Sequence, residues 1–174
     1  MYFQEFLLPE NVKIEISENK VKVSGPKGEL ERKFELIAGI KIESIENKIK
    51  VSSESERRKV KALVGTVIAH IKNMAKGVTK GFVYKLRIVY SHFPIKVKVE
   101  KDSILIQNFL GERVPRIAKI VGQTEVKVEV SDIIVSGIDR ENVSQTAANI
   151  EQSCRIVGYD RRRFLDGCYI VSKG

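Results

Sequence analysis

The sequence predicts an α+β protein made of two tandem copies of one unit, each an antiparallel β-sheet with one helix packed on one face. Three observations predict this class: strand-like segments that recur at a fixed spacing, an apolar helical stripe near the end of each copy, and no strand–helix–strand alternation. The 174 residues, 43% of them hydrophobic, suffice for one ordinary domain or two small ones. We expect the first copy to span residues 1–81 and the second residues 82–174.

A β-hairpin is predicted near the start of each copy. In the first copy, residues 12–16 and 21–23 alternate apolar and charged side chains on either side of a turn at residues 17–20. In the second copy, residues 82–90 have an extended pattern, residues 95–99 repeat the alternation and residues 104–106 follow after a short turn. Because successive side chains of a strand point to opposite faces, this pattern predicts strands with one buried and one wet face.

Two further strands are predicted later in each copy. In the first copy they cover residues 40–45 and 49–52, with a turn at residues 46–48 between them. In the second copy they cover residues 125–130 and 133–136. The short polar connections favour antiparallel pairing within each copy.

Each copy is predicted to end in a helix. Ser55 is a good N-cap for the first helix, and the second begins near Asp139. The apolar residues of each helix recur at spacings of three and four, which places them on one face. These stripes are Val60, Leu63, Val64, Val67, Ile68, Ile71 and Met74 in the first helix, and Val143, Ala147, Ile150, Cys154 and Val157 in the second. Val60 and Val143 lie 83 positions apart, which indicates a duplicated unit.

The net charge of +9 predicts an anionic partner, which could be nucleic acid, an acidic membrane surface or an acidic protein. Composition alone favours nucleic acid without excluding the others. No apolar run approaches the roughly 20 residues that span a bilayer, and residues 1–6 lack the pattern of a signal peptide. We therefore expect no membrane partner.

The sequence offers no constellation of residues suited to catalysis. The two histidines, His70 and His92, have no second histidine or carboxylate at metal-ligand spacing. The two cysteines, Cys154 and Cys168, belong to no CxxC pair and are expected to be buried thiols in a reducing compartment. We expect no enzyme activity, no cofactor, no metal and no small-molecule substrate.

A basic cluster near the end of the second copy is the main candidate binding site. Arginine binds phosphate through two parallel hydrogen bonds, and an exposed aromatic ring can stack on an RNA base. The candidate residues are Arg155, Tyr159, Arg161, Arg162, Arg163 and Phe164, with Tyr169 close by. Two alternatives stay open: the arginines could form a solvated run of charge, and Phe164 and Tyr169 could belong to the core.

Two further basic surfaces are weaker candidates. The turn Gly25-Pro26-Lys27-Gly28 predicts Lys27 at an exposed tip, where it could meet a phosphate or remain an ordinary solvated lysine. The start of the first helix carries cations that its dipole disfavours, either because they face phosphate or because Glu54 and Glu56 compensate them. These cations are Arg57, Arg58, Lys59 and Lys61.

Three stretches, together with the duplicated plan, resemble the sixth large-subunit ribosomal protein family in its archaeal and eukaryotic form. They are residues 25–30, residues 81–94 and residues 162–170. The resemblance implies two tandem copies of one α+β fold. It also implies binding to 23S-type large-subunit ribosomal RNA near the factor-binding region and the stalk base, largely through the second copy.

The resemblance further implies a structural role as a monomer within the cytoplasmic ribosomal particle, among neighbouring ribosomal proteins. Carried onto this chain, it points to residues 161–164 and Lys173 as the best RNA contacts, with Lys27 as a lesser one. The rival hypothesis is a basic protein-interaction module that binds an acidic protein partner. We expect RNA binding to weaken steeply with salt, because lysine and arginine release counterions from phosphates.

Overall fold

The structure is a computed structural model that describes residues 2–17, 20–34, 39–45 and 48–174. The chain divides into two compact units, Met1–Gly81 and Phe82–Gly174. Parts of two predicted turns, residues 18–19 and 46–47, lie outside the described residues. Neither helix found in the described ranges has the length and apolar character needed to cross a membrane.

The strands of the first unit pair antiparallel in two three-stranded sheets. The described elements are β1 (Tyr2–Leu7), β2 (Lys13–Ser17), β3 (Lys20–Gly25), β4 (Gly28–Lys33), β5 (Ile40–Ile45), β6 (Lys48–Ser53) and α1 (Arg58–Thr79). The strand orders are β1-β6-β5 and β2-β3-β4. Helix α1 contacts strands of both sheets, so its apolar face and the inner faces of the sheets share one core.

The second unit repeats this plan and adds a strand. Its elements are β7 (Phe82–Val89), β8 (Lys96–Val99), β9 (Ser103–Gln107), a 3₁₀ turn (Phe109–Gly111), β10 (Arg116–Lys119), β11 (Glu125–Val128), β12 (Asp132–Gly137), α2 (Arg140–Ser153) and β13 (Gly167–Lys173). The antiparallel sheets have the orders β10-β9-β8 and β11-β12-β7-β13. Strand β7 takes the place that β1 has in the first unit, and β13 extends the sheet beyond it.

The predicted α+β class and the packing of one helix on antiparallel strands in each half are confirmed. The strands of each unit are divided between two sheets rather than gathered in one, because β2, β3 and β4 pair among themselves while β1 pairs with β6. Strands β1, β4, β10 and β13 were not predicted. In β4 the alternation is weak, since Leu30 is its one large apolar residue.

Side-chain capping differs between the two helices. Helix α2 begins next to Asp139, as predicted, and Asp139 is its cap, because its carboxylate accepts the N–H of Glu141 at 2.9 Å. The prediction that Ser55 caps α1 is wrong. The Ser55 hydroxyl accepts the N–H of Arg57 at 3.4 Å, which forms a turn ahead of the helix, and α1 begins at Arg58 with no side-chain cap.

Both cysteines are buried in the core of the second unit, as predicted for small hydrophobic residues. Cys154 lies at the C-terminal end of α2 and Cys168 in β13. The prediction that Val157 belongs to the apolar stripe of this helix is wrong, because α2 ends at Ser153 and Val157 is exposed. The two thiols interact with each other, and this interaction lowers the pKa of Cys154 and, together with burial, raises that of Cys168. The pair therefore joins the end of α2 to β13.

The hairpin turn that carries Lys27 is fixed against the end of α1. Gly25 pairs with Gly28, the N–H of Lys27 donates to the carbonyl of Val78 at 2.9 Å, and the Lys27 ammonium donates to the carbonyl of Lys80. A Cβ atom on Gly25 would lie 2.7 Å from Cγ2 of Val78, closer than real side chains approach. Gly25 is thus required by close packing against the buried Val78 side chain.

Replacing Gly25 by alanine should lower the free energy of unfolding by about 1–3 kcal/mol, because the added methyl group overlaps Val78 and separates the turn from the helix. Chemical denaturation measures this change. Gly65→Ala is the matched control, since nothing lies within 4 Å of a Cβ there. That helical substitution should stabilise the protein by about 0.5–1 kcal/mol. Equal effects of the two substitutions would contradict the packing argument.

Candidate nucleic-acid interface

The predicted basic cluster lies in the loop of residues 155–166, which connects α2 to β13 and is called here the arginine loop. Hydrogen bonds to Asp160 shape the central part of this loop. The carbonyl of Asp160 accepts the N–H groups of Arg163 and Phe164 at 3.0 and 2.9 Å. Its carboxylate accepts the N–H of Arg162 at 3.0 Å. The Asp160 carboxyl, whose pKa is lowered by hydrogen bonds from Arg162, therefore shapes the loop in its ionised form.

The arginines of this loop differ in how far their charge is already neutralised. Arg162 contacts Asp160 through Nη2 at 3.1 Å, although its side chain remains 91% exposed. Arg161 and Arg163 are exposed, and no ion pair joins either of them to a carboxylate in the described part of the chain. Arg155 is exposed at the start of the loop. Most of the positive charge is therefore available to an external anion.

Phe164 is the centre of a small aromatic group. Its ring lies 4.8 Å from that of Tyr159 and 5.8 Å from that of His92, measured between centroids. Phe164 is half-buried against the core, whereas Tyr159 is exposed. Phe164 is thus both a core residue and a partly exposed ring, since one part of the ring packs against the core and the other stays open to solvent.

Arg116 holds the start of the arginine loop. Its Nε and Nη2 donate to the two carboxylate oxygens of Glu112 at 2.8 and 2.6 Å. Its Nη1 donates to the carbonyls of Ser153 and Arg155 at 2.9 and 2.7 Å. The guanidinium also lies 4.2 Å from the centroid of the Phe109 ring. A single side chain therefore satisfies carbonyls at the end of α2 and fixes Arg155.

The far end of the arginine loop is held by buried and hydrogen-bonded groups. Asp166 is fully buried, and its Oδ1 accepts the N–H of Ser91 at 3.3 Å. The Tyr169 hydroxyl donates to the carbonyl of Leu165 at 3.1 Å, and burial raises the pKa of this tyrosine. The loop is thus attached to the main body of the second unit at both ends.

The remaining predicted contacts lie outside this loop. Lys173 is exposed in β13, where it pairs with Tyr84 of β7. Lys27 belongs to the first unit and is exposed, but its ammonium already contacts the carbonyl of Lys80. The structure therefore brings together in one loop the residues Arg155, Tyr159, Arg161, Arg162, Arg163 and Phe164, with Lys173 on the strand that follows.

Within the described ranges, Lys61 is the one cation at the start of α1 that an ion pair joins to a carboxylate. Lys61 lies 3.7 Å from the carboxylate of Glu56, whereas Glu54 lies 4.0 Å from Lys41. Glu56 therefore supplies only part of the predicted compensation. The first turn of α1 contains no acidic residue.

Sequence reasoning missed the basic side chains of strand β7. Lys85 and Arg87 are exposed, because β7 alternates buried and exposed positions along its length. Tyr169 and Ser172 of β13 pair with Arg87 and Lys85, respectively. The strict alternation of apolar residues with other side chains in residues 82–89 was the signal that could have identified Lys85 and Arg87 as exposed.

The described residues contain no group of three side chains able to hold a metal ion. His92 instead takes part in the aromatic group described above, and His70 lies 6.2 Å from Phe34 between ring centroids. Both positions fit structural roles.

Comparison with known proteins identifies the family. The family model described as Ribosomal protein L6 matches residues 8–81 and 93–167. The large ribosomal subunit protein uL6 of Ignicoccus hospitalis is 53% identical over 95% of this chain and 91% of its own length. The proteins of the same name from Methanosarcina mazei and Staphylothermus marinus are 52% and 51% identical, over 95% and 99% of this chain and 94% and 95% of their own lengths. With two matched segments and relatives that align along nearly its whole length, the chain belongs to the ribosomal protein L6 family.

Proposed function

We propose that this protein is a structural constituent of the large ribosomal subunit that binds large-subunit (23S-type) ribosomal RNA, mainly through its second unit. The site lies near the factor-binding region and the stalk base, as the family resemblance implies. The protein acts as a monomer within the cytoplasmic particle, beside neighbouring ribosomal proteins, and not as an enzyme. The name of the relatives, large ribosomal subunit protein uL6, supports this assignment.

One observation supports the RNA contact most directly: the arginine loop presents Arg161 and Arg163 without a carboxylate partner among the residues that the structure describes. Adjacent uncompensated cations repel each other, and closely spaced phosphates remove that repulsion. Asp160 and Arg116 hold the loop in shape before binding. RNA helices are recognised largely through their shape and backbone, which suits a fixed array of cations.

The rival function, binding of an acidic protein, uses the same charges. The aromatic group beside the arginines favours RNA, because Tyr159 offers an exposed ring for base stacking. Sedimentation separates the two functions: the native protein should travel with the large subunit and leave it only at high salt. Purification with an acidic protein, free of RNA and of ribosomal particles, would support the rival instead.

Binding to protein-free large-subunit RNA from the same organism should depend steeply on salt. Arg155, residues 161–163 and Lys173 give five candidate phosphate contacts, and each adds about −0.7 to −0.9 to the slope of log affinity against log salt. The slope should therefore be about −4, and affinity should fall roughly 250-fold between about 50 and 200 mM salt. Filter binding over a salt series measures the slope. A slope near zero would rule out the phosphate contacts.

A further inference from the structure

A cavity of about 460 Å³ lies within the second unit, between the C-terminal end of α2, the arginine loop and β13. This volume falls in the range of roughly 300–1,000 Å³ that is usual for small-ligand sites. The phosphate contacts proposed above need only surface charge. They leave a concave site of this size unexplained.

The walls of the cavity are mainly apolar and include flat rings. Phe164, Leu165 and Tyr169 line it, and Leu165 and Tyr169 are 57% and 42% exposed. The hydrogen bond from the Tyr169 hydroxyl to the Leu165 carbonyl joins two of these wall residues. Gly167 allows the ring to lie close to the chain, since a Cβ there would approach it to 3.1 Å. The ring is therefore held in place before any ligand binds.

The charged lining of the cavity is net positive, with two arginines and one glutamate. Arg155 and Arg161 both line it and are exposed, and Arg161 lies close enough to Tyr169 to act on the pKa of its hydroxyl. The acidic lining residue, Glu151, already accepts the N–H of Ile170 at 3.0 Å. The occupant that fits is thus a flat aromatic group with an anionic substituent.

Resting on the proposed function, we propose that this cavity receives one unpaired nucleobase of the bound ribosomal RNA, while Arg155 and Arg161 hold its phosphate. A base within a helix is stacked between its neighbours and cannot enter a concave site. An unpaired base can be turned out of the stack, and proteins commonly bind such bases on aromatic side chains. Both the apolar walls and the arginines are then used by one nucleotide.

Chemical probing of large-subunit RNA from the same organism, with and without the protein, tests whether the cavity binds an unpaired base. Hydroxyl radicals report contacts to the RNA backbone. Dimethyl sulfate and a carbodiimide together report the Watson–Crick edges of all four bases. We expect backbone protection and, within it, at least fivefold protection of one unpaired base. Leu165→Trp should fill the cavity and restore the reactivity of that base while the backbone stays protected.

Val157→Trp is the matched control, because Val157 is 74% exposed in the same loop and does not line the cavity. It should leave both protections unchanged. Circular dichroism and thermal melting establish that both variants fold. Backbone protection without protection of any base would overturn the inference and leave RNA binding standing. Base protection that survives Leu165→Trp would also overturn it. Loss of all protection with the parent protein would instead overturn the proposed function.

The occupant can also be identified in assembled large subunits that contain the unmodified protein. Ultraviolet irradiation joins a base to an aromatic side chain on which it stacks, and we expect a crosslink from Phe164 or Tyr169 to the base protected in the probing experiment. A crosslink of that base to a residue outside the cavity lining would overturn the inference.

Discussion

Replacing Arg161, Arg162 and Arg163 together by alanine should weaken binding to large-subunit RNA by roughly 100-fold or more at moderate salt. Each charge-assisted hydrogen bond to phosphate contributes about 1.5–3 kcal/mol, and about 1.4 kcal/mol corresponds to a tenfold change in affinity. Arg161 and Arg163 lack an internal carboxylate partner among the described residues, so most of the loss should come from these two. Arg162→Ala alone should have the smallest effect, because Asp160 already neutralises part of its charge.

The matched control for this triple variant replaces Lys96, Lys98 and Lys101 by alanine. These lysines are exposed in the second unit, and their replacement removes three positive charges outside the arginine loop. Affinity should then fall far less, and filter binding measures both variants against the parent. Equal losses would show that overall charge matters and that the arginine loop is not the contact. The thermal unfolding temperature of the triple arginine variant should be nearly unchanged, because the backbone hydrogen bonds around Asp160 remain.

Arg116→Ala should lower the free energy of unfolding by about 2–4 kcal/mol and also weaken RNA binding. The substitution leaves the carbonyls of Ser153 and Arg155 without their donor and leaves Glu112 without its partner. Because the start of the arginine loop is then released, Arg155 loses its fixed position. RNA affinity should fall about tenfold, as one well-placed phosphate contact is lost.

Denaturant unfolding measures the stability change, with Arg113→Ala as the control. Arg113 is exposed in the same segment, and its removal should alter stability by less than about 0.5 kcal/mol. The hydrogen bond from Arg116 lowers the pKa of Glu112, so the contribution of this pair is present at neutral pH and is lost as the pH falls through that lowered pKa. The difference between parent and Arg116→Ala should therefore shrink in acid. A difference independent of pH would exclude the ion pair as a cause.

Local patterns predicted the parts of the fold that depend on local chemistry. The alternation at residues 12–16 and the stripe of α1 were sufficient to predict a strand and a helix, because period two and period 3.6 each place apolar side chains on one face. Strand β1 escaped prediction because its place is set by pairing with β6, more than 40 positions along the chain. The Ser55 cap failed because a serine hydroxyl can equally well form a turn before the helix.

The candidate site also has a part that local sequence patterns predict and a part that they do not. The arginine loop was predicted because its cations and aromatic residues are contiguous in sequence. Arg116 was missed because its acceptor, the carbonyl of Arg155, lies 39 positions away. The spacing of four between Glu112 and Arg116 was a signal of an ion pair but gave no indication of those carbonyls. The cavity arises from three separate elements, so no local pattern predicts it.

Strand β13 limits how much backbone freedom the arginine loop would lose in the proposed complex with RNA. Because β13 pairs with β7 along most of its length, the segment before it is a closed loop rather than a dangling basic tail. A tail of equal charge would have to give up the backbone freedom of every residue that it orders, at about 1–2 kcal/mol each. Here the sheet has already imposed that restriction during folding. In the proposed complex with RNA, the backbone of this loop therefore has little further freedom to lose.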